Sequence, residues 1–402
     1  MEKRHLVRQS ILNAQRGLAG YDLQVWEKDG REGAHRHPTA ESARLLINLI
    51  NSSDLAKLVE SQPVFLSFPG AFLFHDYEEM LPPGRIILMA PQTAEDTGLV
   101  EAIRARRAEG VRVGFDIDAA GPAPPSEVVA ELDFLRFDLA RLGEGDGLSA
   151  ATEPFRATPV PWIARNVHSH SDFERCLELG FGLFTGQFFT QPLLFSKDGL
   201  SARQMALVEV FQQLSAGAEF PEIEATFKAY PDLSFQLLEL LNSAAMRRKE
   251  PIYSIRQSLV LLGQNNLRKW VALLLFTGGD GEGPNPLYEE AVIRGRIMEM
   301  AASRIQDSDA FTGGAFLTGI FSVIQALLMR PLRQIAQDLQ LDRGIALALV
   351  ERKGVLGHLL DTVAKLREEK APEPKLAVGG ITFRDQDWFS FEEQASLEYG
   401  IG

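Results

Sequence analysis

The sequence predicts α/β followed by all-α: a modified TIM-type (β/α) barrel over residues 1–197 and a helical domain over residues 198–402. Three observations predict it. Short β-rich runs alternate with helical patterns up to about residue 196, as parallel crossovers require. The strand signal stops after Gln191-Pro192. The length of 402 residues suits two domains, each large enough to bury its own core.

The barrel opens on two strand-like runs, Leu6 to Leu12 and Leu18 to Trp26, joined by Asn13-Ala14-Gln15-Arg16-Gly17, a loop that fits a hairpin. The strands then continue as Val64 to Phe68, Arg85 to Met89, Val111 to Phe115 and Phe134 to Phe137. Apolar residues at three- and four-residue spacing predict helices over Ala43 to Val59 and Gly98 to Glu109, the second stopped by Gly110. Gly121, Pro122, Pro124 and Pro125 place a surface loop over 119–126, and 143–147 forms another.

In the second half, helices are predicted over Ser201 to Ser215, Ser234 to Leu241, Asn266 to Phe276, Leu287 to Ile305 and Ala315 to Leu328, with a glycine-rich break over 278–286. Leu237, Leu238, Leu241, Leu259 and Leu262 form the apolar stripes of packed helices. Asn242 and Ser243 end one helix through local hydrogen bonds, and Gly263 permits a left-handed turn before Asn266 caps the next. A tail opens at 371–375, and its Phe383, Trp388, Phe389 and Phe391 are expected to fold back on the helical bundle.

Hydrophobic residues make up 45% and charged residues 24%, so the chain should fold throughout. A formal net charge of -13 argues against nucleic-acid binding, which draws its affinity from Lys and Arg neutralising phosphates. The basic run Met246-Arg247-Arg248-Lys249 reads as a solvated helix end. Cys176 is the only cysteine, which excludes an intrachain disulfide and a thiolate metal cluster and fits a reducing cytoplasm. No run reaches the ~18 apolar residues of a membrane span, so neither secretion nor anchoring is expected.

Arg8-Gln9-Ser10-Ile11 followed by Gly20-Tyr21-Asp22-Leu23 resembles the opening of EAL domains, barrel enzymes that hydrolyse cyclic di-GMP. Glu174 to Pro192, with Leu179-Gly180-Phe181 and Gly186-Gln187-Phe188-Phe189, resembles their end. The second half resembles an HDOD domain, the helical relative of HD phosphohydrolases that lacks their His-Asp metal site. The residues that carry this are Pro231-Asp232-Leu233-Ser234, Leu241-Asn242-Ser243-Ala244, Ile252-Tyr253-Ser254-Ile255, Leu261-Leu262-Gly263 and Leu267-Arg268-Lys269-Trp270. Asn242, Ser243, Ile255 and Gly263 are its structural signature.

The EAL resemblance implies two divalent metals held by acidic residues and an Asn, with a Lys near the attacking water. Here the naming glutamate falls on Asp22, the Asn on Ser67, a further Glu on Met89, and the paired aspartates on Asp116 and Ile117. The Lys is Arg136, a poor proton acceptor, and a later Glu-Lys-Glu set is Arg165, Asn166 and His168. What remains is a vestigial nucleotide or metal pocket of Gln9, Asp22, Asp116, Asp138 and Gly186, with Arg136, Arg165 and Trp26 as cationic or stacking groups.

His358 is the single histidine of residues 198–402 and cannot build an HD metal site; it is expected on a helix surface or half-buried. The pairs His35/His37 and His168/His170 have no evident third ligand, so no metal and no cofactor is expected. The resulting expectation is a non-catalytic cytoplasmic signalling protein that acts through protein partners of the HDOD domain. A sensor that binds cyclic di-GMP without turnover is the less favoured alternative, and residual phosphodiesterase activity the least.

Overall fold

The structure, a computed structural model, describes residues 5–26, 62–74, 85–92, 98–118, 121–142, 147–191, 200–243, 252–277, 285–368 and 375–399. The helix expected over 43–59, His35 and His37, the basic run 246–249 and most of the glycine-rich break lie outside the described residues. The chain divides into two compact units, one of residues 1–189, 366–371 and 385–401, the other of 190–365, 372–384 and 402.

The first unit is built on a closed eight-stranded barrel in sequence order. Its strands are β1 (His5–Asn13), β2 (Leu18–Trp26), β3 (Val64–Ser67), β4 (Ile86–Pro91), β5 (Arg112–Ile117), β6 (Phe134–Asp138), β7 (Trp162–Arg165) and β8 (Leu183–Thr185). β1 runs antiparallel to both β2 and β8, and every other neighbouring pair is parallel. The expected opening hairpin is therefore what modifies the eight-fold pattern. Asn13 makes its turn: the side-chain oxygen accepts hydrogen bonds from the backbone N–H of Gln15 and Gly17, both at 2.9 Å. Arg16 takes a left-handed φ of 64° there.

Alternation along the strands sends Ile11, Phe65, Ile87, Met89, Phe134 and Ile163 into one interior cluster, with Leu183 packed against it. The alternate residues Leu66, Leu88, Phe115, Leu135 and Phe137 are buried as well. Burial on both faces is what parallel strands need, and it explains why these runs read as nearly continuous apolar sequence. Helices α1 (Leu99–Ala108), α2 (Ser126–Val129), α3 (Leu139–Leu142), α4 (Gly147–Thr152) and α5 (His170–Leu179) connect the strands. Ser169 caps α5 by accepting the Asp172 N–H at 3.0 Å, and Gly180 closes it at φ 97°. Cys176 is buried on this helix, where desolvation pushes its thiol up to about 12, so it is unionised at neutral pH.

The second unit is helical as expected, with α6 (Ala202–Ser215), α7 (Phe220–Ala229), α8 (Pro231–Asn242), α9 (Ile255–Leu274), α10 (Pro286–Ile305), α11 (Asp309–Phe321), α12 (Ile324–Leu328), α13 (Leu332–Asp338), α14 (Arg343–Glu351) and α15 (Gly354–Arg367). One addition is a two-stranded hairpin of β9 (Lys375–Val378) and β10 (Ile381–Arg384), too short to show a strand period in sequence. α10 and α11 cross closely: a Cβ added to Gly319 would stand 2.6 Å from backbone atoms of Arg294 and Gly295. Gly263 interrupts α9 at φ 74° and ψ 159°, a conformation that suits a residue without Cβ. Ser243 Oγ donates to Leu240 O at 2.7 Å, and Ile255 begins α9.

Asn242 does more than end α8. Its amide donates to Ile252 O at 2.9 Å and accepts the Ile252 N–H at 2.7 Å, tying the end of α8 to the approach of α9. Asn242→Leu would leave both backbone groups of Ile252 without these partners, at an expected cost of about 1–3 kcal/mol. A urea titration of the wild-type and variant chains measures this, and an unchanged midpoint would show that the two bonds contribute nothing net.

The last helix, α16 (Asp385–Tyr399), belongs to the barrel unit and packs against β1. Trp388 is fully buried and Phe389 nearly so. This corrects the expected packing of Trp388, Phe389 and Phe391 on the helical bundle; Phe383 alone of the four stays with the helical unit, where the Arg304 guanidinium stands 5.3 Å from its ring centre. An amphipathic aromatic run states that a helix must be covered, not which surface covers it.

Candidate functional site at the barrel mouth

The same alternation that builds the apolar interior places a polar layer one step further along the strands. Phe65 is followed inward by Ser67, Phe134 by Arg136 and Ile163 by Arg165. Neighbouring-strand pairings set Ser67 beside Met89, Met89 beside Gly114, Asp116 beside Arg136 and Asp138 beside Arg165. On β1 and β2, Gln9 stands opposite Asp22.

Arg136 organises this layer. Its Nε and Nη2 donate to Asp116 Oδ1 and Oδ2 at 2.5 and 2.9 Å, a bidentate clamp, while Nη1 donates to Asp22 Oδ1 at 3.1 Å. Nη2 also donates to Ser67 Oγ at 2.7 Å. The Arg136 and Asp22 side chains are 1% and 0% exposed, whereas Asp116 is 36% exposed. Burial alone would lower the Arg136 pKa, but the charges of Asp116 and Asp22 and their hydrogen bonds reverse this and hold it above the ordinary arginine value.

A second polar group lies at the ends of β6 and β7. Asp138 accepts a hydrogen bond from Asn166 Nδ2 at 2.6 Å and one from the Ala140 N–H at 3.0 Å. Asn166 holds a left-handed φ of 60°. Arg165 is buried, and desolvation lowers its pKa; Asp22 and Asp138 oppose that effect, while the like charge of Arg136 adds to it. Gln9 Oε1 and Thr185 Oγ1 are buried without a hydrogen-bond partner among the described residues.

The structure thus gathers Asp22, Asp116 and Arg136 into one knot and pairs Asp138 with Asn166 instead. Gly186 follows β8 at φ 131° against the backbone of Val167. The Trp26 side chain lies outside the described residues. Two participants escaped sequence reasoning, Ser67 as an acceptor for Arg136 and Asn166 as the partner of Asp138. The sequence marks both only as departures from the family pattern, and local pattern gives no signal for contacts between strands far apart in sequence.

Residues 203–343 match the HDOD domain family. The chain joins an EAL-like barrel to an HDOD domain. A Vibrio cholerae protein named cyclic di-GMP phosphodiesterase CdgJ is 28% identical over 367 residues, covering 89% of this EAL–HDOD chain and 83% of that protein. Bacillus subtilis YuxH, an uncharacterised protein, is 24% identical over 372 residues, covering 89% of each. A solved structure of the Bacillus subtilis YkuI protein, with an EAL domain and in complex with substrate c-di-GMP and calcium, is 13% identical, covers 65% of this chain and 71% of that one, and has a TM-score of 0.38.

CdgJ corrects one expectation. The chain was expected not to be an enzyme because metal ligands of the EAL pattern are replaced, yet a relative alike over 89% of its length carries a phosphodiesterase name. The replaced metal ligands therefore do not show the chain to be inactive.

The two-metal centre of the EAL pattern does not fit the residues of this mouth. Met89 offers a thioether where a hard cation needs oxygen, Ser67 is neutral, and the carboxylates of Asp22 and Asp116 already hold a guanidinium. Among the described residues, no group of three or more His, Cys, Asp or Glu is placed to hold an ion. His170 is engaged by Arg16 at 3.0 Å through Nδ1 and by Glu174 at 2.9 Å through Nε2. His358 is exposed on α15.

Proposed function

We propose that this EAL–HDOD chain is a cytoplasmic component of cyclic di-GMP signalling, related to the cyclic di-GMP phosphodiesterases. The barrel mouth engages the dinucleotide, and the HDOD domain engages a protein partner; the cut between the two functions falls near residue 197. The likeness to CdgJ across both halves carries this reading.

The mouth supports it with a buried polar layer at the strand ends and with hydrogen-bonding capacity left on Gln9 and Thr185. For the HDOD domain, Phe235 on α8 is 67% exposed and Tyr253 84% exposed, with Val260 and Leu261 of α9 also exposed. Large apolar groups left in solvent on neighbouring helices suit a protein contact. The unpaired, unionised Cys176 agrees with a reducing compartment, and no helix among the described residues is long and apolar enough to cross a membrane.

The test is a calorimetric titration of the full chain with cyclic di-GMP, with and without Mg²⁺, followed by chromatography of the same samples for the linear product. Heat of binding or product formation supports the reading. Neither heat nor product at millimolar dinucleotide would overturn the role of the barrel.

A further inference from the structure

We propose that the guanidinium of Arg136 is the resident cation of the barrel mouth, holding Asp22 and Asp116 where a divalent ion would otherwise have to sit. This deepens the reading above by specifying how the same mouth is charged.

The geometry carries the proposal. Four hydrogen bonds from Arg136 reach Asp22 Oδ1, both carboxylate oxygens of Asp116, and Ser67 Oγ, a set of oxygens drawn from β2, β3 and β5. Oxygen donors converging from several strands are what a hard cation takes, and here one side chain of β6 takes them all. A divalent ion needs oxygens at roughly 2.0–2.6 Å and would have to compete for them with N–H donors already in contact. It would also meet the positive charge of Arg136 at short range.

Displacing Arg136 would break all four bonds and require a new place for a long charged side chain that is 1% exposed. Met89 and Gly114 show the same substitution in packing. A Cβ on Gly114 would stand 2.7 Å from the Met89 sulfur, so the thioether fills space that the missing side chain leaves open. Under this arrangement, association of a dinucleotide with the mouth proceeds without divalent ions on Asp22 and Asp116.

Mn²⁺ titration read by the paramagnetic resonance of the free ion tests this on the full chain, without dinucleotide, so failure of the functional reading leaves the result intact. Surface carboxylates of an acidic chain take up some Mn²⁺, and the comparison is therefore between variants. Wild type and Asp22→Asn are expected to take up the same amount, as are wild type and Asp116→Asn. Asp22→Asn/Asp116→Asn is likewise expected to match wild type. Wild-type uptake exceeding that of Asp22→Asn by an equivalent or more would overturn the proposal.

Discussion

Replacing Arg136 by Met is expected to destabilise the barrel by about 3–5 kcal/mol, the range for removing one partner of a buried ion pair. The cost comes mainly from Asp22. Its side chain is fully buried and loses the guanidinium, whereas Asp116 is 36% exposed and can recover hydration. Attraction is thus the smaller part of the effect, and the desolvation of a buried carboxylate that loses one of its charged partners the larger.

The same physics predicts a partial rescue. Arg136→Met combined with Asp22→Leu replaces cation and buried anion by apolar groups, and such exchanges are often neutral or better. The double variant should therefore be more stable than Arg136→Met alone, although both carry a substitution at position 136. Urea titration of wild type, the two single variants and the double variant gives the coupling. A loss below about 1 kcal/mol for Arg136→Met would place the knot with exposed ion pairs and refute the burial argument.

The barrel was legible because its signals are local. Alternation and punctuation located the opening hairpin, and Gly110 marked a helix end that the structure places at φ 82°. The charges at inward positions 22, 116 and 136 were also visible in sequence. Their joining into one knot was not, because it depends on which strands of a closed barrel face one another, and sequence spacing between Asp22 and Arg136 says nothing of that. The same limit explains Asn166, whose left-handed backbone and bond to Asp138 follow from the β7 exit. Reading each position against a family pattern compounded the problem: it registered what a residue had ceased to be, and not the bond its replacement makes.

Ending the chain at Arg384 is expected to abolish the cooperative unfolding of the barrel. α16 brings Trp388 at 0% and Phe389 at 8% exposure into the barrel unit, and Glu392 accepts a buried hydrogen bond from Arg367 Nη1. Truncating one buried Trp or Phe to Ala costs about 3–5 kcal/mol, and the buried Arg367–Glu392 ion pair is lost with them. Their sum reaches the ~5–15 kcal/mol that holds an ordinary domain together. Trp388→Ala alone should lower the midpoint yet leave a single sharp transition, since one cavity removes only part of that margin. Far-UV circular dichroism during urea titration separates the two results. A truncated chain that keeps the wild-type transition would mean that α16 only covers β1. Loss of the transition would instead make it a structural part of the barrel, placed after the entire helical domain in sequence, so that the barrel cannot be completed until residues 385–399 are available.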